Sequence, residues 1–285
     1  MRHGIMPRMN RAQPAASAGL LPLPRPLMTG EVLDAAFRLF RAGLWRTLPY
    51  SGLAILLLQF PTLYAALFTR ASLGVEFVVK NYEPLAYLLM FVFAVPLLGA
   101  IALRLHAIAR AQKPRFRDEL RSVVRRWPMA LIATTGAFFV PVTLLVIGPL
   151  FTGGLPGEAL FFLSIPLFWP SALFVVALPE FWCRGLGPIA AIARSARISI
   201  RRSWRMVGAL LAAGCVVATF SVLVAIIVGM LTPIFGRADL FLVAIVESVL
   251  YLVIGAVGVP FVVAVLIVAM QDLELRDEER REVRQ

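Results

Sequence analysis

Charge is scarce in this 285-residue chain, at 15% of all residues, against about 25% in an ordinary soluble domain. Cysteine is nearly absent: Cys183 and Cys215 stand 32 positions apart with no CxxC, which implies neither a disulfide framework nor a thiolate metal site. Two histidines, His3 and His106, leave little for a histidine metal site. The catalytic patterns HExxH, GxSxG, GxxxxGK[ST] and GxGxxG are missing, and no cluster of two or more acids stands with a histidine. Glu76 and Glu83 flank Lys80, but that spacing marks a solvated helical face rather than a catalytic pair. The expectation is a protein that is not an enzyme and has no cofactor.

What the chain has instead is apolar side chain, 60% of its residues with a mean hydropathy of +0.85. That quantity cannot be hidden in one soluble core of this size under a wettable surface. The class it predicts is an all-α polytopic membrane bundle. Six stretches reach the roughly 20 residues needed to cross about 30 Å of hydrocarbon. They lie near Leu48–Phe68, Leu85–Leu105, Met129–Phe151, Leu160–Leu178, Val207–Leu231 and Leu240–Met270. Between the third and fourth, Gly153, Gly154, Pro156 and Gly157 predict a tight hairpin.

The net charge of +12 sorts by loop. Seven basic residues precede the first span, eight run from Arg104 to Arg126, six from Arg184 to Arg205, and four from Arg276 to Arg284. Arg70, Lys80 and Arg237 are the only ones on the other side. The positive-inside rule therefore places both termini in the cytoplasm, and nucleic acid is not needed to explain the charge. Residues 1–28 are acid-free and proline-rich and contain no apolar run of seven, so they are not a secretory signal. They are expected to form a disordered cytoplasmic tail, with an organelle transit peptide as the alternative. Residues 29–270 make the membrane domain and 271–285 a charged cytoplasmic tail.

A pattern recurs before each odd-numbered span. Leu33, Phe37, Phe40 and Leu44 are spaced as one face of a helix, and Phe116, Leu120, Val123 and Trp127 repeat that spacing 83 positions later, opposite Arg117, Arg121 and Arg125. Ile189, Ile192, Ala196 and Ile200 form a third such stripe, beside Arg194, Arg197, Arg201 and Arg205. Each segment ends beside a tryptophan, Trp45, Trp127 or Trp204, suited to anchor the membrane boundary. Three cytoplasmic interfacial helices in a three-fold repeat are predicted, with arginines toward anionic lipid headgroups or an acidic protein partner. The plainer alternative is that these arginines only fix topology.

The segment Gly30-Glu31-Val32-Leu33-Asp34-Ala35-Ala36-Phe37-Arg38-Leu39-Phe40-Arg41 resembles the opening of a bacterial family of six-span membrane proteins. That family includes the membrane domain fused to some glycerophosphodiester phosphodiesterases. A second match runs from Ala177-Leu178-Pro179-Glu180 through Gly187-Pro188 to Arg202-Ser203-Trp204-Arg205. The resemblance implies an all-helical inner-membrane module, with phosphodiesterase chemistry confined to a separate soluble domain. It carries no catalytic residue onto this chain.

Inside the membrane, Glu247 is the one ionisable candidate, because an acid at bilayer depth is costly unless paired or hydrated. Gly255, Gly258 and Pro260 in the same span could break the helix and build a substrate site. Glu180 and Arg184, four apart, are expected to pair. The leading expectation for function is a non-enzymatic scaffold or assembly module with a basic cytoplasmic face. The alternatives are a small-solute or lipid transporter using Glu247 and a broken sixth span, and a lipid-modifying enzyme.

Overall fold

The computed structural model describes residues 20–21, 23–68, 73–112, 116–151, 174–235 and 240–283, with side chains outside 61–88, 137–151, 201, 231–232 and 234–244. Among these residues every regular element is helical and there is no strand. Three long helices come first: α1 (Thr29–Phe68), α2 (Leu73–Ala109) and α3 (Phe116–Phe151). Two short ones follow, α4 (Ala177–Arg184) and α5 (Pro188–Ser199). A 3-10 turn, Ile200–Arg202, then leads into α6 (Ser203–Phe235) and α7 (Leu240–Glu282).

The α7 helix is central: it packs most extensively against α1, then α6, and also touches α2, α4 and α5. Its buried Ile267 and Met270 share the core with Leu39 of α1, Ile101 and Leu105 of α2, Phe181 of α4 and Met206 of α6. Glycine sets the closest approach. A Cβ on Gly99 of α2 would lie 2.4 Å from the indole of Trp182, so only glycine admits that ring. At the end of α4, Gly185 takes φ 71° and returns its N–H to the Phe181 carbonyl at 3.2 Å. Pro188 then opens α5, where its missing N–H goes unneeded.

Three helices are long and apolar enough to cross a membrane: Leu89–Ala109, Ser203–Met230 and Ile245–Glu282. They correspond to the second, fifth and sixth expected spans, so the chain is an all-helical membrane protein with three such helices among the described residues. The first and third expected spans fall on α1 and α3. Most of the fourth lies outside the described residues. Leu211, Phe220, Leu223, Ile226 and Met230 of α6 are all exposed. Water would not tolerate so continuous an apolar surface, whereas acyl chains do.

Two prolines show how the bundle manages backbone polarity. Pro260 does not break α7, contrary to the broken sixth span expected from Gly255, Gly258 and Pro260. It has no N–H to give the Ala256 carbonyl four residues back. Ser51 of α1 supplies the missing donor, its Oγ lying 2.6 Å from that oxygen. Pro96 of α2 likewise leaves the Val92 carbonyl without its helical partner, and Trp127 Nε1 of α3 donates to it at 2.9 Å. In both places a neighbouring helix satisfies the oxygen that proline orphans, which is what a low-dielectric interior requires.

The three interfacial helices are corrected in part. The first two are not separate elements: their stripes run on unbroken into α1 and α3, helices of 40 and 36 residues. Neither Gly43 and Pro49 in α1 nor Pro128 in α3 ends its helix. Only the third copy, α5, is a helix of its own, set off by Gly187-Pro188 before it and the 3-10 turn after it.

The proline arrangement makes a prediction. Ser51→Ala should destabilise the protein by about 1–2 kcal/mol by leaving the Ala256 carbonyl without a donor. In a Pro260→Ala background, where the backbone N–H returns, the same substitution should cost much less. Thermal unfolding of the four variants in detergent measures the difference.

Candidate functional site

The charged groups of the bundle converge at one end. There the start of α1, the end of α2, the start of α3, α4 and α5, the start of α6 and the end of α7 come together. At its centre is Glu180, whose side chain is 0% exposed. Its Oε1 accepts from Arg194 Nε at 3.2 Å. Its Oε2 lies 3.5 Å from Arg184 Nε, an ion pair without hydrogen-bond geometry. Both arginines also reach Glu274 of α7: Arg184 pairs directly with its Oε2, and Arg194 Nη2 donates to its Oε1 at 3.1 Å. Two carboxylates and two guanidiniums thus form a closed, charge-balanced square across α4, α5 and α7. Burial disfavours the charge on Arg194, but Glu180 and Glu274 outweigh it and raise its pKa.

Next to this square, Asp272 holds the chain that precedes α1. Its Oδ1 accepts the Leu27 N–H at 2.7 Å, and both its oxygens accept from Arg276 Nε, at 3.1 and 3.0 Å. The Leu27 carbonyl in turn accepts from Arg205 at 2.5 Å and Arg276 at 2.7 Å. Leu21, Leu23 and Leu27 are buried, and the Leu21 N–H donates to the Ala109 carbonyl at 2.9 Å. The expected disordered tail is therefore a docked strap over its last residues, because three leucines find the core and Asp272 takes the backbone. Likewise, residues 271–282 are not a separate tail but the last turns of α7, with Asp272 and Glu274 buried.

A third group sits between α1, α2 and α3. Arg104 donates through Nη2 to Glu119 Oε2 at 2.6 Å and lies over the Tyr50 ring, 5.1 Å from its centroid. Tyr50 stacks on Phe116 with centroids 6.0 Å apart.

The residues singled out from sequence separate into two sets. Arg194 and Arg205 point into the ion networks instead of toward headgroups, since buried Glu180, Glu274 and Asp272 need counter-charges. Arg117, Arg121, Arg125 and Arg197 are exposed. The Arg201 side chain lies outside the described residues. Trp45 and Trp204 are exposed, at 80% and 71%. Trp127 is half-buried and serves the Val92 carbonyl and the Phe93 ring. Glu247 is exposed on α7, apart from the cavities at the charged end. The Glu180–Arg184 pair is present, as its spacing predicts, but Glu274 joins it from 90 positions away, beyond the reach of periodicity.

Among the described residues no three of histidine, cysteine, aspartate and glutamate gather as metal ligands. Cys183 lies against the Ala102 carbonyl, and burial, with Glu180 nearby, pushes its thiol up to about 12, so it is an inert thiol. The arrangement does positioning work: the two acid-centred networks fix α4, α5, α6, α7 and the strap, the Arg104 group ties α1, α2 and α3, and a second set of arginines is left for other contacts.

Two outcomes test this division. Replacing Arg184 and Arg194 together by Gln should destabilise by about 3–5 kcal/mol, because buried Glu180 and Glu274 lose both cations. Adding Glu180→Gln should recover part of that loss, which chemical unfolding in detergent detects. Separately, Asp272→Asn should release the strap, seen as faster amide hydrogen exchange at Leu21 and Leu27 with the helical content unchanged.

No family model matches the chain, and neither the curated proteins nor the solved structures provide a match.

Proposed function

We propose that the protein is a non-enzymatic inner-membrane scaffold or assembly module. Six spans carry the chain across the bilayer, with both termini and the arginine-rich loops in the cytoplasm. The likeness of Gly30–Arg41 to the bacterial six-span family supports a bacterial inner membrane as its site.

One observation carries this reading: the arginines at the charged end have two occupations. Arg184, Arg194, Arg205 and Arg276 are consumed in ion pairs that make the end rigid. Arg117, Arg121, Arg125 and Arg197 are exposed beside them. A rigid platform with a basic surface suits docking of an acidic protein segment, in which phosphate- or carboxylate-bearing groups meet guanidiniums. Convergent polar groups deep in the bilayer would instead favour transport. The unbroken α7 and the exposed Glu247 give that alternative no broken-helix site.

The experiment recovers the tagged full chain from native membranes in mild detergent. Partner proteins should be retained by the wild type and by Glu247→Gln, and lost when Arg117, Arg121, Arg125 and Arg197 are together changed to Gln. Raising salt to about 0.5 M, where exposed charges are screened beyond a few ångströms, should release the same partners. Proteoliposome flux that Glu247→Gln abolishes would replace the scaffold with a transporter.

A further inference from the structure

Beyond the ion networks, the last turns of α7 and the 3-10 turn border an open groove of about 390 Å3, lined by Arg202, Arg276, Glu279, Arg280 and Val283. Three guanidiniums share it with a single carboxylate. Arg276 is fixed in place by Asp272 and by the Leu27 carbonyl. Arg202 uses Nη2 on the Arg276 carbonyl at 3.3 Å and, like Arg280, enters no ion pair among the described residues. Burial, followed by Arg280 and Arg276, pushes the Arg202 pKa down, while Asp272 alone opposes them. Positive charge is therefore in excess here, in contrast to the balanced square of Glu180 and Glu274, and an anion would relieve it.

The surroundings decide which anion. Ile200 and Trp204, on either side of Arg202 in the chain, are 62% and 71% exposed. From Trp204, the exposed face of α6 continues through Leu211, two helical turns further on. Apolar side chains exposed in the same stretch of chain as Arg202 mark this turn as a membrane boundary, where the phosphate at hand is that of a phospholipid headgroup.

We propose that the Arg202–Arg276–Arg280 groove binds the phosphate of an anionic phospholipid headgroup. This rests on the reading that the charged end lies at the cytoplasmic headgroup layer. It goes further in naming a defined site distinct from the exposed arginines of α3 and α5.

The test titrates the full chain, purified in a neutral detergent, with phosphatidylglycerol, phosphatidylcholine or inorganic phosphate in separate arms. Native mass spectrometry reads bound lipid, and isothermal titration reads phosphate. Phosphatidylglycerol should bind about tenfold more tightly than phosphatidylcholine, and Arg202→Gln with Arg280→Gln should weaken it about tenfold or more. Arg280→Gln alone should give an intermediate loss, which keeps the test open if the double variant misfolds. Arg117→Gln with Arg121→Gln, outside the groove, should change affinity less than about twofold. Equal losses in both pairs would mean a diffuse field and overturn the site. Phosphate binding that depends on Arg202, without a preference for phosphatidylglycerol, would overturn the lipid assignment. If the groove variants lose lipid preference in neither arm yet the arginine variants of α3 and α5 still lose partners, the groove fails and the scaffold stands.

Discussion

A polar group withdrawn from water has to find its partner within the protein, and this bundle is organised around that requirement. The Ala256 and Val92 carbonyls, orphaned by Pro260 and Pro96, receive Ser51 and Trp127. The carboxylates of Glu180, Glu274 and Asp272 receive four arginines and one backbone N–H. Apart from Arg184–Glu180 within α4 and Arg276–Asp272 within α7, these contacts join different helices or tie the strap to α7, so satisfying the groups also fixes how the helices are placed. The central position of α7 follows, since it bears Glu274, which gathers the two short helices, Asp272, which holds the strap and the start of α6, and the carbonyl that anchors α1.

Sequence reasoning reads the apolar part of this design well, because burial in a bilayer shows in composition. The second, fifth and sixth expected spans recur as helices long and apolar enough to cross, and the Glu180–Arg184 pair lies within one helical turn, where spacing is informative. What sequence reasoning misses are partners far apart in the chain. Helical stripes place Arg194 among outward arginines, because periodicity reports a face and not what another helix brings to it; Glu274 arrives from 80 positions away. Trp127 reads as a boundary anchor on amphipathic grounds, yet Pro96 on α2 has already created the acceptor that claims its N–H. The strap is missed for a similar reason: Leu21, Leu23 and Leu27 are too few to register as an element, but α7 offers Asp272 to the backbone between them.

The excess of basic residues also acquires structure. Loop counting treats the arginines as one population that orients the chain. The fold separates them into a set neutralised by buried acids, a set exposed on α3 and α5, and the Arg202–Arg276–Arg280 groove with too few acids of its own. Arg276 serves both rigidity and lipid contact, but Arg202 and Arg280 belong to the groove alone and Arg117, Arg121, Arg125 and Arg197 to the docking surface, so each function can be altered separately. That separation makes a scaffold reading concrete, since a platform must hold its shape while its surface exchanges contacts.

The account depends most on the charged end facing one side of the membrane and Glu247 lying toward the other. Single cysteines at Arg117, Arg281 and Glu247, in a chain with Cys183 and Cys215 replaced by serine, can be labelled by an impermeant maleimide in intact cells and in inverted membrane vesicles. Arg117→Cys and Arg281→Cys should react only in inverted vesicles, and Glu247→Cys should be reached only from the opposite face or not at all. Labelling of Arg117→Cys and Arg281→Cys from opposite faces, or of all three from the same face, would contradict it.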